Sequence, residues 1–111
     1  MRSDQERLLD ILEAIDRIEK YAAQGKKAFE GDELIQNWMV HHLQIIGEAA
    51  ARLSTGFRSQ NATVQWSEII GMRNVLVHEY FGVDTEIVWA AVESQLPQLR
   101  RDIAQMVSEA P

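Results

Sequence analysis

The segment from Leu34 to Leu53 is the strongest constraint on what this chain can fold into. Two stripes coexist on the helix that it predicts. One is Ile35, Met39, Leu43, Ile46, Ala50 and Leu53, and the other is Leu34, Trp38, His41, Ile45, Glu48 and Arg52. A helix with apolar residues on two sides must be covered on two sides. In a chain of 111 residues the second cover is expected to be another copy of the chain. Asp32, just after Gly31, is the expected N-cap of this helix.

The flanking segments are helical as well. Ser3 followed by Glu6 has the form of a capping box. Leu8, Ile11, Leu12, Ile15, Ile18 and Ala22 then recur at helical spacing, and Gly25 is a plausible stop. Residues 54 to 63 carry the turn residues of a loop. A third helix is expected from about Val64 to His78, with Trp66, Ile69, Ile70, Met72, Val75, Leu76 and Val77 as apolar positions. Asp84 caps the last helical region, whose apolar face runs through Ile87, Ala91, Leu96, Leu99, Ile103 and Met106. Pro97 removes a backbone donor, so that region is expected to kink or split there. The pattern predicts one all-α domain over residues 1–111, an antiparallel bundle of four to five helices.

Composition narrows the functional classes. No apolar run approaches the length of a membrane span, and the first residues are too charged for a secretory signal, so a cytoplasmic protein is expected. Without cysteine there is no disulfide framework and no thiolate metal site. His41 and His42 are adjacent, hence about 100° apart on a helix, and do not chelate one ion easily. The net charge of −6 argues against a general nucleic-acid coat protein. Residues 51–80, however, carry three arginines against two glutamates, while the remainder carries eight basic against fifteen acidic residues. A bound polyanion would have to sit on a small local patch.

The chemistry concentrates in Arg73, His78 and Tyr80. Arginine holds phosphate bidentately and histidine titrates near neutral pH. On an ideal helix Arg73 and His78 diverge by about 140°, whereas Asn74 and His78 share a face, so Asn74 could orient the imidazole. Arg73 and His78 converge if the helix end opens near Gly82 or if a second subunit completes a shared cleft. The structural alternatives are an ion pair of Arg73 with an acidic residue such as Glu48, and His78 as a helix C-terminal cap. Glu48 lies beside Gly47, Ala49 and Ala50, small residues where another helix can approach closely. Arg58 could contact a polyanion from its loop.

Ile45 to Ala50, Trp66 with Ile69 to Asn74, the Arg-x4-His-x-Tyr motif from Arg73 to Tyr80, Phe81 to Asp84, and Trp89 together resemble HepT-like proteins of the HEPN superfamily. The likeness covers nearly the whole chain in order. It implies a homodimeric helical bundle and a metal-independent endoribonuclease, without cofactor, acting as the toxin of a toxin–antitoxin pair. It also implies an MntA-like nucleotidyltransferase antitoxin that transfers AMP to the motif tyrosine, here Tyr80. In that scheme Arg73, His78 and Asn74 form the catalytic group on an RNA substrate, with Glu48 and Arg58 in support. The alternative is a non-catalytic helical partner, or modification substrate, of a nucleotidyltransferase.

Overall fold

The computed structural model describes residues 2–73 and 84–109. All its described regular structure is helical: α1 (Asp4–Ala22), α2 (Lys26–Glu30), α3 (Glu33–Ala51), α4 (Thr55–Gln60), α5 (Trp66–Gly71), α6 (Thr85–Ala90), a π turn (Ala91–Gln95) and α7 (Leu96–Glu109). The long elements α1, α3 and the α6–α7 run make the body of the expected helical bundle.

The helix starts follow local capping chemistry. Ser3 Oγ accepts from the Glu6 amide while the Glu6 carboxylate accepts from the Ser3 amide, closing the capping box of α1. Asp32 caps α3 through the amides of Leu34 and Ile35, and Asp84 caps α6 through those of Glu86 and Ile87. Between α1 and α2 the chain turns at Gly25, whose φ of 95° is in the region that favours glycine.

α1 and α3 are antiparallel. Asp4 at the start of α1 meets Ser54 just beyond α3, while Tyr21 near the end of α1 sets its ring edge-on to Trp38 at 5.5 Å. Between these points Leu8, Ile11, Ile15 and Ile18 of α1 face Met39, Leu43 and Ile46 of α3 in a core completed by Leu96, Leu99 and Ile103 of α7. All six residues of the first α3 stripe are buried. The second stripe is not: Leu34 is 80% exposed, Trp38 and Ile45 are half-buried, and His41, Glu48 and Arg52 are exposed.

Two local expectations change. Residues 55–60 form α4 where turn composition predicted a loop. The cause lies elsewhere in the chain. Asp4 accepts from both the amide and the hydroxyl of Ser54, and the oriented Ser54 Oγ accepts from the Phe57 amide. Pro97 does disturb the last helical region, but the disturbance falls one turn earlier. The Leu96 amide reaches back five residues to the Ala91 carbonyl, and helical winding continues through Pro97. A π turn of this kind accommodates the missing proline donor without ending the helix.

Candidate functional site

The site is built where α5 ends against α3. Ile69 and Met72 are buried beside the core, drawing the end of α5 onto the last turns of α3. The approach is very close at Gly47: a Cβ there would lie 2.8 Å from the Arg73 backbone nitrogen and 3.1 Å from the Ile70 carbonyl oxygen. Only a residue without a side chain leaves room for the chain at that distance.

This closeness sets Arg73 beside Glu48. Arg73 Nη1 donates to Glu48 Oε2 at 3.3 Å, and Arg52 Nε, at the C-cap of α3, donates to Glu48 Oε1 at 3.1 Å. One carboxylate therefore holds two guanidiniums from two elements. The hydrogen bond from Arg52 is the largest influence on the Glu48 carboxyl and, with the further bond from Arg73, keeps it below its ordinary range against the opposing effect of burial. All three side chains remain accessible, at 58% for Arg52, 49% for Glu48 and 40% for Arg73. The pairing of Arg73 with Glu48 foreseen as a structural alternative is thus present. It leaves the guanidinium open to an incoming anion.

Asn74, His78 and Tyr80 lie outside the described residues. Arg58 is on α4, half-buried, and takes no part in the Glu48 pair. His41 is exposed. His42 is the one buried polar side chain among the described residues: its Nδ1 donates to the Trp38 carbonyl at 2.7 Å and its ring rests on the Trp38 indole at 4.4 Å. Burial pushes its pKa below the usual histidine value. The two histidine rings stand edge-on at 85° and do not converge on a shared ion. Sequence reasoning weighed His42 only as a ligand and missed its burial. Its spacing, three residues after Met39 and four before Ile46 of the buried stripe, was the available signal.

A model of the family described as "Ribonuclease HepT-like" matches residues 11–106. The chain belongs to the HepT-like ribonuclease family. Among curated proteins it is 35% identical over 100 residues to "Probable ribonuclease HepT" of Thermococcus cleftensis, covering 89% of this chain and 91% of that one. It is 33% identical over 101 residues to "Putative RNase MJ1380" of Methanocaldococcus jannaschii, with 86% and 89% covered. It is also 35% identical over 92 residues to "Putative RNase TTE0752" of Caldanaerobacter subterraneus subsp. tengcongensis, with 83% and 82% covered. No solved structure matches the chain. The guanidinium of Arg73 is accessible beside Glu48, and a guanidinium carries donors of the kind that pair with an oxyanion. Among the described residues no helix is long and apolar enough to cross a membrane.

Proposed function

We propose that this HepT-like protein is a metal-independent endoribonuclease that cuts RNA through the RNA's own 2′-hydroxyl. The observation that carries the reading is Arg73, in a protein of this family, held solvent-accessible by Glu48 where the α5 end closes on α3. In the reaction the 2′-oxygen attacks the adjacent phosphorus while the bond to the 5′-oxygen breaks, giving a 2′,3′-cyclic phosphate and a free 5′-hydroxyl. His78 takes the proton from the 2′-hydroxyl or supplies one to the leaving oxygen. Arg73 stabilises the charge that builds on the non-bridging oxygens, and Asn74 orients the imidazole. A homodimer brings the motifs of two protomers to a shared cleft, and the half-open second stripe of α3 is a surface available for such pairing.

The same reading makes the protein the toxin of a toxin–antitoxin pair, neutralised when an MntA-like nucleotidyltransferase transfers AMP to Tyr80. The added phosphate beside Arg73 would occupy the guanidinium and repel RNA. The test is cleavage of total RNA by purified protein in EDTA, before and after incubation with the nucleotidyltransferase and ATP. Cleavage that resists EDTA and stops after AMP transfer supports the proposal. Absence of cleavage by the unmodified protein overturns it in favour of a non-catalytic partner.

A further inference from the structure

We infer that Arg52 forms a second phosphate subsite, holding the RNA phosphodiester next to the one on Arg73; this rests on the ribonuclease reading above. The Arg52 guanidinium is bound to Glu48 through Nε alone. Among the described residues its two terminal nitrogens have no hydrogen-bond partner. Arg73 is bound through Nη1, leaving its own remaining donors in the same condition. The two guanidiniums are thus fixed on the two oxygens of one carboxylate, separated by that carboxylate's width and two hydrogen bonds. Each guanidinium keeps further donors of its own, enough for one phosphate apiece on a strand that passes both.

Three further observations favour the assignment. Both arginines are exposed, and exposed ion pairs contribute little to stability, so fold stability gives this network little reason to exist. Glu48 screens the two cations from each other and restricts their rotamers, lowering the entropy lost when phosphates bind. The trio carries a net positive charge on a chain whose overall charge is −6, providing a local patch for a polyanion. Glu48 is then a positioning residue shared by both subsites. Arg52 contributes to RNA binding and leaves the chemical step to the Arg73 side.

The experiment compares wild type, Arg52→Ala and Arg52→Lys in cleavage of total RNA and in binding of a labelled single-stranded oligouridylate over a KCl series. Because Arg52 is an exposed side chain at the C-cap of α3, outside the core, the variants should fold, which circular dichroism checks. Arg52→Ala should raise KM on the order of tenfold with kcat changed by less than about threefold, as for loss of uniform binding. Its slope of log affinity against log salt should flatten by about 0.7, the value for one phosphate contact on a single strand. Arg52→Lys should recover the salt slope but only part of the affinity, since lysine keeps the charge and loses the fork. An unchanged KM and salt slope in Arg52→Ala, or a fall in kcat alone, would overturn the subsite while leaving the ribonuclease standing. Wild type that neither binds nor cuts RNA would remove both.

Discussion

A Cβ on Gly47 would sit 2.8 Å from the backbone nitrogen of Arg73, a separation that real Cβ atoms essentially never show. The nearest atoms are the Arg73 nitrogen and Cβ and the Ile70 carbonyl oxygen, all fixed by the backbone, so the clash cannot be relieved by turning a flexible side chain. The closeness of α5 to α3, and with it the reach of Arg73 to Glu48, depends on that missing side chain.

Gly47→Ala is therefore expected to push the α5 end away from α3. The cost should be about 1–3 kcal/mol of stability, as for overpacking, with a larger proportional loss of RNA cleavage because Arg73 leaves Glu48. Urea denaturation and a cleavage assay report the two effects separately. Gly56→Ala is the control. A Cβ there meets nothing within 4 Å, and within α4 it should be neutral or stabilise by about 0.5–1 kcal/mol.

Removing the guanidinium itself should affect activity much more than the fold. Arg73→Ala is expected to reduce kcat on the order of 10²–10³-fold, typical for loss of one donor to a charged transition state. Its melting temperature should move little, because an exposed ion pair contributes about 0–1 kcal/mol. Activity equal to wild type in a folded Arg73→Ala protein would remove Arg73 from the mechanism.

The Glu48 pair should show itself in acid. The Glu48 pKa is lowered in the folded protein, first by Arg52 and then by Arg73, so its contribution is present above the unfolded value near 4.5 and is lost as pH falls through the folded value. Glu48→Gln should be slightly less stable than wild type at neutral pH, with the difference closing below pH 4.5. The effect is small because Glu48 is half exposed. Denaturant titrations at a series of pH values would show the convergence or its absence.

His42 gives a pH dependence in a different window. Its folded pKa is lowered by burial, so the unfolded chain binds its proton first as pH drops below 6.5. Stability should decline from pH 6.5 downwards until the folded-state imidazole also titrates. In His42→Gln that part of the decline should vanish. A chemical-shift titration of His42, giving a pKa at or above 6.5 in the folded protein, would contradict the assignment.

Ser54→Ala tests a contact across 50 residues of sequence. The substitution removes the N-cap of α4 and the hydroxyl that donates to Asp4, at an expected cost of about 0.5–2 kcal/mol. Asp4→Asn keeps an acceptor and should cost less, provided that the Ser54 amide retains its bond. Hydrogen exchange at Phe57 and Arg58 would report whether α4 loosens in each variant.

Local spacing in the sequence is enough to place the long helices α1 and α3 and the start of the α6–α7 run. Ser3, Asp32 and Asp84 each bond amides within three residues, so capping chemistry is readable from local spacing. The buried stripe of α3 follows from helical periodicity for the same reason. Gly47 and its small neighbours signalled a close approach without naming the element that makes it. Tertiary structure alone decided that the approaching element is the end of α5, and that Glu48 serves Arg52 and Arg73 together. It also decided that Asp4 orients the cap of a helix hidden in turn-like composition, and that Pro97 is accommodated by a π turn preceding it. The physical reason is common to these cases. Local spacing fixes bonds between residues one turn apart, whereas partners tens of residues away are chosen only when the core packs the helices against one another.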